Sequence, residues 1–135
     1  MIAAAIPAAT WDLVWQSRSG PPQVPWLGPD VNDGLRTLAG SGGRAALIAP
    51  IGFVTDHMEV MWDLDHQARA TADALGVRIE RAVTPGTVPD PRFVRMWADL
   101  VDEHRDPGAP VHSLSRLGVR PTPCAATCCP PPARR

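Results

Sequence analysis

The chain has 135 residues and a net charge of −1, with 44% hydrophobic and 20% charged residues, enough for one domain with one ordinary core. The near-neutral balance, with a pI near 6.4, leaves no electrostatic footprint for nucleic acid, and no apolar run is long enough for a transmembrane segment. Three Cys, an odd number gathered near the end, argue against a secreted disulfide framework, and Met1–Pro7 lacks the basic region and apolar length of a signal peptide, which points to a cytoplasmic protein.

Residues 1–10 are weakly patterned and form an atypical start. Trp11–Ser17 alternates as a strand and stops at Ser17-Arg-Ser-Gly-Pro-Pro. A Pro/Gly-rich loop follows to Pro29. In it Arg18 with Gly20 forms either an anion site or an ordinary strand-to-helix connection. Asp30 opens a helix to about Ala39 with Val31, Leu35 and Leu38 as its apolar stripe. Ala45–Ile51 reads as a buried strand, bounded by turn residues and ending at a Pro-Ile-Gly corner.

A helix from about Asp56 to Leu75 comes next, with Thr55 or Asp56 as N-cap, Glu59 at the capping-box position and Gly76 as its stop. Val77–Ala82 alternates as a third strand. After the loop 84–91, Asp90 and Pro91 open a helix to about His104 whose buried side carries Phe93, Met96, Trp97, Leu100 and Val101. Strands alternating with helices predict an α/β fold with a doubly wound parallel sheet. No glycine fingerprint for a dinucleotide is present. From about Asp106 the composition shifts to Pro, Gly, Arg and small residues, which predicts a Pro/Cys-rich flexible tail over 106–135.

The central helix carries the main chemical signal. Asp56, Glu59 and Asp63 fall at i, i+3 and i+7, on one helical face, with nothing basic at i+4 to relieve their repulsion. Such a face is either solvated or bound to a cation.

The stretch Pro50-Ile-Gly-Phe-Val-Thr-Asp-His-Met-Glu-Val-Met-Trp-Asp-Leu-Asp65 closely resembles the signature of ferrochelatases, which insert Fe²⁺ into a porphyrin in haem synthesis. Val14–Gly20, Pro25-Trp-Leu-Gly-Pro29, Asp90–Phe93 and Ala98–Val101 are similar to that family in the same order. The resemblance covers about residues 11–105. It implies a chelatase-like fold of two similar doubly wound domains, of which this chain matches the second only, a truncated form.

By that resemblance Glu59 is the catalytic carboxylate facing the porphyrin and, with Asp63, a ligand to Fe²⁺. The next rung of the family's acidic ladder is Gln67 here. Asp99 matches an acid assigned as catalytic in vertebrate members, although by its own pattern it is a helix-surface acid. Trp26 and Met58 are implied to bind porphyrin; an indole offers a flat apolar face to a flat macrocycle. His57 cannot share a helix face with Glu59, two residues away, and reads as an orienting or structural His. The family's opposing His falls in the absent half. Cys124, Cys128 and Cys129 resemble the C-terminal ligands of the [2Fe–2S] cluster that several members hold. Such a cluster normally takes four thiolates, and the alternative is three reduced thiols in the tail. Similarity to actinobacterial members implies coproporphyrin III as the porphyrin substrate, and a fragment of this kind would need a separately encoded N-terminal half as partner to complete the cleft. Two alternatives stand beside the enzyme: a non-catalytic remnant that binds porphyrin or iron, and an inert truncated domain with an exposed apolar surface.

Overall fold

The computed structural model describes residues 10–88, 90–113, 115–119 and 124–128. Residues 1–9 of the expected atypical start, and Cys129, lie outside the described residues. The chain divides into two compact units, Met1–Phe93 and Val94–Arg135.

In the first unit, helix α1 (Val31–Gly40) starts where Asp30 accepts a hydrogen bond from the Asn32 backbone N–H at 2.8 Å, satisfying a donor the helix leaves unpaired. Strands β1 (Ala45–Ile48) and β2 (Arg78–Arg81) pair in parallel, with Ala45 opposite Arg78 and Ile48 opposite Arg81. Parallel strands need a long crossover, and here it contains helix α2. This helix runs through three consecutive segments: an α-helical turn Met58–Val60, a π-helical stretch Met61–Ala68 and an α-helical end Arg69–Leu75. Gly76 stops it in the left-handed region, at φ 65° and ψ 30°, and the Val77 N–H reaches back to the Ala72 carbonyl at 2.9 Å.

Burial gives a reason for the π stretch. Val60, Leu64, Ala68 and Ala72 are all buried in the core with Val31 and Leu35 of α1, and with Val77 and Ile79. The buried row of α2 therefore repeats every four residues. In an α-helix of 3.6 residues per turn, such a row drifts about 40° per step and about 120° over three steps. The wider i→i+5 turns of Met61–Ala68 counter that drift, so the row keeps to one side.

Among the described residues the result is a mixed α/β architecture with a two-stranded parallel sheet. Several expectations are corrected. Trp11–Ser17 forms no ladder; Trp15 makes one parallel bridge with Asp30. Its N–H bonds the Pro29 carbonyl and its carbonyl accepts from Val31 N–H. The partner segment allows no more, because Pro29 lacks an N–H and the chain turns into α1 immediately afterwards. The strand predicted over Ala45–Ile51 ends at Ile48, two residues before Pro50. It is not buried on both sides: Leu47 is 61% exposed, while Ala46 and Ile48 pack toward the core. The helix predicted from Asp56 begins at Met58, and His57 at its N-cap contributes no side-chain bond.

Helix α3 (Pro91–Arg105) begins as expected, with Asp90 accepting from the Arg92 backbone N–H at 2.8 Å. Arg92 also bonds the Asp90 carboxylate from its side chain, which holds that carboxyl down at about 2. The predicted buried side of α3 is not buried: Met96, Trp97, Leu100 and Val101 are 40–52% exposed. The helix is amphipathic, and none of its residues is buried. No helix or strand follows Arg105 among the described residues. No helix there is long and apolar enough to cross a membrane.

Candidate functional site

Asp56, expected on the acidic helix face, lies two residues ahead of α2 and points the other way. Arg81 at the end of β2 bonds both of its carboxylate oxygens at 3.0 Å, and Thr84 Oγ1 donates to Oδ1 at 2.9 Å. Burial alone would raise the Asp56 pKa. The Thr84 hydrogen bond, then the hydrogen bond and charge of Arg81, outweigh it and hold the carboxyl below its ordinary value. Repulsion among the acids is therefore relieved by a cation eighteen residues beyond Asp63, on a strand, where helical spacing could not find it. Close approach tightens this corner. The Gly86 N–H bonds the Val54 carbonyl at 2.7 Å, and a Cβ on Gly86 would lie 2.5 Å from Thr55 Cγ2.

The other two acids stay together. Glu59, Asp63 and Gln67 line one cavity of about 250 Å³, facing Gln16, Ser17 and Arg18 at the end of the first extended segment and Asp30–Asn32 at the start of α1. Their four-residue spacing matches that of the buried row beside them, so the π stretch lines up both. Ser17 Oγ donates to Asp63 Oδ2 at 2.6 Å, the short distance of a hydrogen bond to a charged acceptor. Ser17 has φ 59°, a left-handed conformation costly for a residue with a Cβ. The sequence reading missed Ser17 as a site residue. Its signals were its place at a strand end before a Pro/Gly-rich loop and within the family-like stretch Val14–Gly20.

The base of α1 is fixed by a relay in which Thr71 Oγ1 donates to Asn32 Oδ1 at 2.7 Å and Asn32 Nδ2 donates to Asp30 Oδ1 at 2.8 Å. Arg18 resolves in favour of the connection reading. Its two terminal nitrogens bond the carbonyls of Gly20, Pro21, Pro22 and Val24, clamping the loop.

Trp26 is 45% exposed and lines a second cavity of about 290 Å³, which shares Gln16, Arg18 and Asp30 with the first. Met58 is 83% exposed at the first position of α2 and lines neither. The His57 ring packs edge-on against Phe53 at 4.7 Å, which fits the structural reading. Asp99 lies on α3 in the second unit, where Arg95 Nε bonds it at 2.7 Å. Cys124 and Cys128 are exposed free thiols. With Cys129 outside the described residues, these two alone do not supply the four thiolates of a [2Fe–2S] cluster.

Among the described residues no three His, Cys, Asp or Glu side chains converge tightly enough to hold a metal ion. The cavity lining holds three carboxylates, with Asp30 already bonded to Asn32, together with a hydroxyl and amide oxygens. That set suits loose, stepwise replacement of the waters on a hard or borderline divalent cation better than permanent capture.

A family model described as ferrochelatase matches residues 1–105. The chain is 51% identical over 142 aligned positions to the coproporphyrin III ferrochelatase of Nocardia farcinica, covering 99% of this chain and 39% of that protein. It is 55% identical over 111 residues to the coproporphyrin III ferrochelatase of Mycobacterium leprae, covering 82% of this chain and 32% of that one. With the protein of the same name from Mycobacterium tuberculosis it shares 56% identity over 105 residues, or 78% of this chain and 30% of the relative. The chain thus spans well under half the length of these relatives.

Proposed function

This chain belongs to the ferrochelatase family, and from that premise we propose that it forms the metal-facing wall of a site that inserts Fe²⁺ into a porphyrin, coproporphyrin III, in haem synthesis. The observation that carries this reading is the alignment of Glu59, Asp63 and Gln67 along one cavity, with Asp63 tethered by Ser17. Insertion requires the aquated ion to shed water and the macrocycle to release two pyrrole protons. Asp63 and Glu59 replace waters on the substrate ion, and Glu59 serves as general base for the pyrroles. Gln67 adds a neutral oxygen, so the row carries two negative charges at most. Trp26 offers a face for the macrocycle and Met58 an apolar contact. Asp99 would take part only by leaving Arg95.

In this reading the chain is the second of two doubly wound halves, residues 11–105, and works in the cytoplasm. A separately encoded first half supplies the opposite wall and its imidazole. C-terminal cysteines from this chain would complete a [2Fe–2S] cluster only with Cys129 and a fourth thiolate from that half. A second reading, a domain that binds porphyrin or iron without turnover, is favoured by one fact: no imidazole is among the described residues that line the cavity.

Anaerobic mixing of the purified chain with coproporphyrin III and Fe²⁺, followed by loss of free-porphyrin absorption, tests both. Turnover above the protein-free rate that falls about 100-fold in Glu59→Gln, the scale of a lost general base, supports insertion. Equal turnover in the variant removes Glu59 from the mechanism. Porphyrin bound with no turnover supports the second reading.

A further inference from the structure

We propose that Arg81 is a positioning residue for the Glu59–Asp63 row, an inference that rests on reading this row as cation-facing. Arg81 ends β2, and its guanidinium bonds two carboxylates that bracket the row in sequence. Nε and Nη2 reach Asp65 Oδ1 and Oδ2 at 2.7 and 2.9 Å, a fork on a fork, while Nη1 takes both oxygens of Asp56. Asp56 lies at the corner before α2 and Asp65 within the π stretch. One side chain anchored in the sheet thus holds the helix on both sides of Glu59 and Asp63.

Two facts make this placement more than a surface ion pair. The Arg81 and Asp56 side chains are 13% and 8% exposed, and a buried ion pair is a poor stabiliser for its own sake, often replaceable by apolar groups without loss. What the guanidinium supplies is a fixed planar geometry, which a lysine cannot reproduce. The helix start also takes no side-chain cap from His57, so its seating falls to the corner just before it. Thr84 and Thr87 brace the same corner, the first to the Asp56 carboxylate and the second as acceptor from the Asp56 N–H at 2.6 Å.

The sign of the effect separates positioning from simple electrostatics. Removing a positive charge beside a cation site should tighten cation binding; loosening the row should weaken it. Co²⁺ binding to the full chain, measured by isothermal titration, reads this directly. Arg81→Met is expected to weaken Co²⁺ binding by about 10- to 100-fold, the usual cost of losing support behind a ligand. Arg81→Lys, which keeps the charge and loses the fork, should weaken binding by a smaller factor, where electrostatics alone predicts no change. Unchanged or tighter binding in Arg81→Met, with native circular dichroism, overturns the proposal. If Arg81→Met does not fold, Arg81→Lys carries the comparison alone: it keeps the charge and loses the fork, and unchanged binding there overturns the proposal. A native chain that takes up no Co²⁺ refutes the cation-facing reading itself. Hydrogen exchange over residues 58–63 then decides the role of Arg81: at least tenfold faster exchange in the variant supports the clamp, and equal exchange overturns it.

Discussion

Two leucines of equal size sit on opposite terms with water, and truncating each tests where the core ends. Leu64 is 2% exposed, in the middle of the buried row of α2; Leu47 is 61% exposed on the open face of the sheet. Leu64→Ala removes three carbons from the core, a transfer loss of about 2.4 kcal/mol at about 0.8 kcal/mol per carbon. The hole left between α1 and α2 adds roughly 1–2 kcal/mol at about 24 cal/mol per Å³ of cavity. The expected loss is therefore about 4 kcal/mol. Leu47→Ala should cost less than about 1 kcal/mol, since most of its surface is already wet. Urea unfolding followed by far-UV circular dichroism measures both. With an m-value of about 2 kcal/mol per M, Leu64→Ala should lower the midpoint by about 2 M and Leu47→Ala by under 0.5 M. Equal shifts would refute the one-sided sheet and the core built on it.

Ser17→Ala should destabilise the chain by about 1.5 kcal/mol, the low end for a hydrogen bond to a charged group at a half-buried position, again read by urea unfolding. Acid should weaken the corner before α2. The Asp56 pKa is lowered in the folded chain, so its contribution is complete above the ordinary value of 3.8 and is lost as pH falls through the folded value. Thermal unfolding midpoints should therefore drop below about pH 4, and Asp56→Asn should flatten that slope. A slope that survives the substitution would assign it to other acids.

The sequence located the main helices well because their signals are local. Asp30 as a cap, Pro91 at a helix start and Gly76 as a stop depend only on near neighbours. The strands were harder to read. Nothing local tells that Trp11–Ser17 meets only Asp30, or that Leu47 looks outward, because each outcome depends on what lies alongside. The site divided in the same way. Glu59 and Asp63 are legible from their spacing, and Gln67 only through the ladder that the family resemblance implies. Asp56 was misassigned to their face because helical periodicity was extended past the true start of α2. Arg81 and Ser17 were invisible for a plainer reason: they reach the site from 16 and 46 residues away, across the fold. The four-residue repeat of Val60, Leu64, Ala68 and Ala72 was there to be seen, and it is the clue to the π stretch.

That stretch makes the helix unusually sensitive to a change in chain length. With i→i+5 bonds, Met61–Ala68 holds more residues than an α-helix of equal rise would need. Losing one codon there would let the turns close in ordinary α fashion, with the segments on either side keeping their seats against α1 and the sheet. The residues between would rotate by up to about 100°, carrying Asp63 away from Ser17 and out of line with Gln67. Leu64 shares that stretch and would turn with them, so the deletion would register twice, as a lower urea midpoint and as weaker cation binding. One helical irregularity thus sets the register of the core and of the cavity together.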